Sequence, residues 1–208
     1  MASDVSRSGS ILRGMVLQGR IAAAAHSLVA GVGHIKSPND YYHSIQRHLI
    51  KASDCGLIMQ SPREVRAFLA QKETTRGGLV ITVGSVRNFN RNRALPHFSR
   101  KDCGWFDFQL GLEGTSGGVE VLWYDFELRL PEHSPVPFVR LDLNPVGHTN
   151  EERALRSHLH VGSDDDGWSV PAPIFSPFEA LDLMIHGLVP TGRVRTRATA
   201  STAHQGSP

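Results

Sequence analysis

Apolar and polar positions change their period along this chain, and each change marks an element. From Ile11 the positions Leu12, Met15, Val16, Ala22, Ala23 and Val29 recur at helical spacing, interrupted by Gly14 and Gly19. They predict an N-terminal helical segment over residues 1–36, frayed at its polar start. Three further helices open alike, with Ser-Pro and an acid three residues after the serine: Ser37-Pro38-Asn39-Asp40, Ser61-Pro62-Arg63-Glu64 and Ser176-Pro177-Phe178-Glu179. A serine there caps the third helical amide, a glutamate bonds back to the serine amide, and proline suits a first turn whose N–H has no partner. The apolar stripes that follow are Tyr41, Tyr42, Ile45, Leu49 and Ala52; Val65, Phe68 and Leu69; and Phe178, Leu181, Ile185 and Leu188, with Gly187 as a stop.

Between the second and third of these helices the period falls to two. Strands are predicted over 79–89, 105–113, 119–130, 138–144 and 157–161, with the run GTSGG at 114–118 as a hairpin loop. Short links between successive strands argue for an antiparallel meander. The expected fold is α+β: an antiparallel sheet of about five to six strands with helices packed on one face, a single domain over 37–188. Residues 189–208 hold Arg193, Arg195 and Arg197, no acids and no apolar stripe. They predict a disordered basic tail.

Parity assigns the faces, because successive strand side chains point to opposite sides. Phe106, Phe108, Leu110 and Leu112 share one face with Leu122, Tyr124, Phe126, Leu128, Leu130, Val139, Leu141, Leu143, Leu159 and Val161. Asp107, Gln109, Glu113, Trp123, Asp125, Glu127, Arg129, Arg140, Asp142, Asn144, Arg156, His158 and His160 share the other. The first face should carry the helices and the second should be solvated. A solvated sheet face often carries mixed charge with no site on it. Here, however, the polar positions of the last two strands hold Arg and His in place of Lys and Thr. These groups bind anions or titrate near neutrality. If those strands pair through 145–155, then Arg140, Asp142, His158 and His160 are cross-strand neighbours.

His158-Leu159-His160 points both imidazoles one way, and three readings follow. In the first, His158 and His160 act as acid and base, Asp142 orients an imidazole, and Arg140 and Arg156 hold a phosphate, an arrangement suited to metal-independent RNA cleavage through the 2′-hydroxyl. In the second the histidines bind a metal with Asp142 or His148. In the third they only hydrogen-bond across strands. The run Ser163-Asp164-Asp165-Asp166-Gly167 reads as turn chemistry, lacking the spaced ligands of a calcium loop. His43 and His48, on the first capped helix, read as surface residues. Trp105 and Trp123 fall on the polar face, placed to stack bases or to cover the sheet. No phosphate loop, dinucleotide fingerprint, nucleophile elbow or zinc-finger spacing is present, and no cofactor is implied.

Composition narrows the classes. The 208 residues are 40% hydrophobic and 20% charged, which is globular, and the net charge of +2 is too small to demand a nucleic-acid or membrane partner. No apolar run approaches the roughly 20 residues of a membrane span; the stretch 21–32 is broken by His26 and begins too late for a signal peptide. Cys55 and Cys103 lack metal or redox spacing and fit two reduced thiols in a cytoplasm, with a single disulfide as the alternative.

Between Arg140 and Leu188 the motifs RLDLNP and RSHLHVGSDDDGWSVPAPIFSPFEALDLMI carry a resemblance. The segment resembles the C-terminal half of small bacterial proteins of unknown function, with a strand bearing R-x-D, then S-H-L-H-x-G, then a V-P strand and a proline-opened helix. It is similar, more loosely, to the TumE-type toxins of toxin–antitoxin pairs, whose histidine runs are longer. The matching positions are Arg140, Asp142, Arg156, His158 and His160. The resemblance implies a defence- or toxin-type protein acting on RNA, with an antitoxin partner. The alternative is a non-catalytic accessory or binding module. Convergence of these groups in one concave pocket would favour the enzyme; groups splayed on a flat face would favour the module.

Overall fold

The computed structural model describes residues 35–75, 77–148, 156–164 and 169–187. The expected basic tail, and all but the last two residues of the expected N-terminal helical segment, lie outside them. Helix α1 (Pro38–Asp54) leads into α2 (Pro62–Phe68), eight strands follow, and α3 (Pro177–Asp182) runs on into a π-helical turn, Leu183–Gly187.

The three Ser-Pro signals do cap the three helices. Ser61 and Ser176 form complete capping boxes with Glu64 and Glu179. Ser37 accepts from the amide of Asp40, and the shorter aspartate bonds the serine hydroxyl instead.

The strands are β1 (Leu69–Glu73), β2 (Leu79–Val83), β3 (Phe98–Ser99), β4 (Trp105–Thr115), β5 (Gly118–Arg129), β6 (Phe138–Leu143), β7 (Ser157–Val161) and β8 (Ser169–Pro171). They form one antiparallel sheet in the order β1-β2-β4-β5-β6-β7-β8, with β3 added to the end of β4. The meander is as expected, but the described residues hold eight strands rather than five or six. Leu69, expected on a helix, opens β1, because the chain can pair residue for residue with β2 there. That pairing gives the backbone groups the partners a further helical turn would otherwise have supplied. The short β3 and β8 complete the count.

On one side of the sheet, Phe98, Phe106, Phe108, Leu110, Tyr124, Phe126, Leu128 and Leu141 meet Tyr41, Ile45 and Leu49 of α1 and Phe178 and Leu181 of α3 in a single core. Parity holds except at a bulge after Gly111, where Leu112 pairs with Val121 and not with Leu122. An extra residue reverses every side chain beyond it. Val119 and Val121 therefore turn to the core, and Leu122 does not join it.

The other side is not solvated, which corrects the expectation of a wet face. The predicted strand 79–89 ends at Val83. Gly84, at φ 76°, turns the chain back, and the following segment lies over the polar side of β4 and β5. Asp107, Asp125, Glu127, Arg129, His158 and His160 are all buried. The sheet thus separates an apolar layer from an ionic one. Among the described residues no helix is long and apolar enough to cross a membrane.

Candidate functional site

The ionic layer is built from the parity of four strands and from arginines on the covering segment. Arg87 pairs with Asp125. Arg91 reaches Glu127 at 2.7 Å and Asp164 at 2.8 Å, and its guanidinium lies 3.7 Å from the centre of the Phe138 ring. Arg129 stacks on Trp105, donates to the carbonyl of Asn88 at 3.1 Å, and sits 2.7 Å from Asp107 and 2.9 Å from Glu127. The Arg129–Asp107 pair is close but poorly aligned for hydrogen bonding. Burial pushes the Asp107 carboxyl above its ordinary range in spite of that arginine.

Next to this network stands the predicted cluster. β6 and β7 pair with Arg140 opposite His160 and Asp142 opposite His158. One carboxylate oxygen, Asp142 Oδ2, is the hub: Arg140 Nε lies 3.0 Å from it, His160 Nε2 3.4 Å and His158 Nε2 3.5 Å. The two imidazole rings meet edge to face, their centres 4.8 Å apart. Burial acts to raise the Asp142 pKa, but the hydrogen bond from His160 and the charges of Arg140 and the two histidines outweigh it, so the carboxyl is held below its ordinary value. Arg140 also bonds Asp164 at 2.7 Å. Asp164, from the acidic run read as a turn, therefore joins the cluster.

Two cavities open on this layer. One, of about 310 Å³, is lined by Asp142, His158, His160, Arg140, Arg87 and Trp123 among others, with His148 also on its wall. The second, of about 250 Å³, lies between the covering segment and β4–β5, lined by Arg87, Arg91, Asp107, Glu127 and Arg129. Arg87, Asp125 and Arg140 border both. Trp123 lies over Gly111, its partner across β4 and β5; a Cβ at Gly111 would overlap the indole Nε1.

Four of the five expected residues, Arg140, Asp142, His158 and His160, thus converge in one concave pocket. Arg156 does not join them: it donates to the carbonyl of Asn144 at 3.5 Å and lines neither cavity. Arg87, paired with Asp125, lines the cavity instead. Sequence reasoning missed Arg87 and Arg91 by running β2 to Phe89. The available signal was Gly84 followed by the run RNFNRNR, which is poor strand material. His48 is another correction. It is buried and bonds Asp182 at 2.8 Å, with His186 3.8 Å from the same oxygen, on the helical side of the sheet. His43 is exposed as expected.

No family model, curated protein or solved structure matches the chain.

Proposed function

We propose that this chain cleaves RNA as a defence- or toxin-type enzyme, with Asp142, His158 and His160 as its reacting centre. The observation that carries the reading is the convergence of both imidazoles and Arg140 on one carboxylate oxygen at the wall of a cavity. Such a group can take a proton at one nitrogen and give one at the other, while the Asp142 charge stabilises the imidazolium. In the proposed step the 2′-oxygen attacks the adjacent phosphorus and its proton passes to one imidazole. The P–O5′ bond breaks, and the leaving 5′-oxygen takes a proton from the other imidazole, leaving a cyclic phosphate. Arg140 and Arg87, both on the cavity wall, offset the charge that develops on the phosphoryl oxygens.

The second reading, a non-catalytic binding module, is favoured by one fact: His158 and His160 are only 2% and 1% exposed. Purified chain incubated with single-stranded RNA and with its 2′-deoxy counterpart separates the two. Cleavage of the first alone, lowered about 10²–10⁴-fold by His160→Gln, is expected. RNA that stays intact, or cleavage indifferent to this substitution, would leave the binding module.

A further inference from the structure

We propose that Asp142, His158 and His160 form a binding site for one divalent first-row transition-metal ion, with zinc the best match to the donor set. The three residues each offer a ligating atom, all within 4.8 Å of one another. Two neutral nitrogen donors and a carboxylate oxygen suit zinc and its neighbours rather than calcium or magnesium.

The spacing argues in the same direction. Charge-assisted hydrogen bonds to a carboxylate close to about 2.7–2.9 Å. The His158 and His160 Nε2 atoms stop at 3.5 and 3.4 Å from Asp142 Oδ2. Ligands placed tetrahedrally about an ion at about 2.1 Å stand about 3.4 Å apart. The two histidine–aspartate pairs are thus separated as ligands of a shared ion are, and wider than good hydrogen-bond partners.

The cluster's own hydrogen bonds do not complete it. Asp142 Oδ1 is buried with no hydrogen-bond partner, a deficit that folded proteins rarely leave standing and that an ion held by both carboxylate oxygens would meet.

Arg140 is the obvious competitor for Asp142, at 3.0 Å. Its charge is divided, however, with Asp164 at 2.7 Å and Glu127 at 3.9 Å. It serves as an outer partner that orients the ligating carboxylate. The support is rigid: the histidines are two apart on β7, and the aspartate is opposite one of them on β6. Three protein ligands leave a coordination position toward the 310 Å³ cavity, as in zinc sites that bind a further ligand.

An ion held this way occupies imidazole lone pairs that the acid–base cycle uses. Metal binding and that cycle therefore exclude each other, and RNA cleavage belongs to the metal-free form.

The test measures the metal alone. The full chain is stripped with chelator, dialysed against Co²⁺ or Zn²⁺, and analysed for bound metal and for Co²⁺ visible absorption. One equivalent per chain is expected, with ligand-field bands that Zn²⁺ removes. Asp142→Asn and the double variant His158→Gln, His160→Gln should lose at least ten-fold in affinity while keeping the parental circular dichroism. Should either fail to fold, His160→Gln alone, read for its bands, serves the same purpose. Substoichiometric binding by the parent, or parental binding in a folded double variant, would overturn the site. These readouts involve no RNA. A chain that binds metal but, once stripped of it, cleaves nothing defeats the proposed function alone, and one that cleaves but binds no added metal defeats this inference alone.

Discussion

Asp125 and Asp142 stand directly opposite each other on β5 and β6, two carboxylates at a position where sheets ordinarily set opposite charges. Each is answered by an arginine from another direction, Asp125 by Arg87 of the covering segment and Asp142 by Arg140 of its own strand. Arg87→Ala should therefore cost about 1.5–3 kcal/mol, the usual loss when a charged partner is removed. The further change Asp125→Asn should return part of it. Urea unfolding of the three proteins checks this. Additive losses would mean that the pair is not coupled.

Phe126 lies fully buried between Phe108, 5.0 Å away in a stacked arrangement, and Tyr124, 5.4 Å away edge-on. Truncation to alanine should cost about 3–5 kcal/mol, seen as a lower urea midpoint. A loss under about 1 kcal/mol would show that the aromatic layer closes around the gap.

The helical side of the sheet supplies a pH dependence. Burial holds the His186 pKa below its ordinary 6.5, with Asp182 opposing and His48 and Arg100 reinforcing. The unfolded chain therefore takes up this proton more readily than the folded one. The stability His186 contributes is present above 6.5 and is lost as pH falls toward its folded value. Asp142, whose pKa is lowered from 3.8, contributes its own loss only in more acid solution. Acidifying from about pH 7.5 to about 5.5 should lower the melting temperature, and His186→Asn, which does not titrate, should lose less over that interval. Equal slopes would exclude His186 as the cause.

Gly111 gives a steric prediction. With the Trp123 indole occupying the place of its missing Cβ, Gly111→Ala should force the ring aside at a cost of about 1–3 kcal/mol. Trp123 also lines the cavity, so its fluorescence should shift. Adding Trp123→Leu should remove most of the penalty. If the double variant is no more stable than Gly111→Ala, the clash lies elsewhere.

What could be read from the sequence was whatever local chemistry decides. A serine, a proline and an acid at fixed spacing determine a helix start without outside help, and all three starts stand where they were read. Alternation in β4 to β7 placed Arg140, Asp142, His158 and His160 side by side, because pleat and register leave little choice. Failures came where distant contacts overruled local preference. Leu69 left its helix to pair with Val83. A single bulged residue exchanged Leu122 for Val121. Residues 84–97, the first six of which read as the end of a strand, lie over the carboxylates of β4 and β5 instead, and so a face expected to be wet became an interior. Arg156 fits the parity rule and still misses the site, since its side chain turns to the carbonyl of Asn144.

The strand order has a kinetic consequence. Apart from the step from β2 to β4, each strand along the main path of the sheet pairs with its successor in the chain, and β4 and β5 are joined by only Ser116 and Gly117. Closing so small a loop costs little chain entropy, and contacts between near neighbours speed folding. The β4–β5 hairpin can form before the rest of the sheet and offer β6, then β7, an edge to join. The covering segment has no such template until the β5 and β6 carboxylates are in line. Refolding should then show early burial of the aromatic layer and later arrival of Arg87 and Arg91, with the pocket completed last.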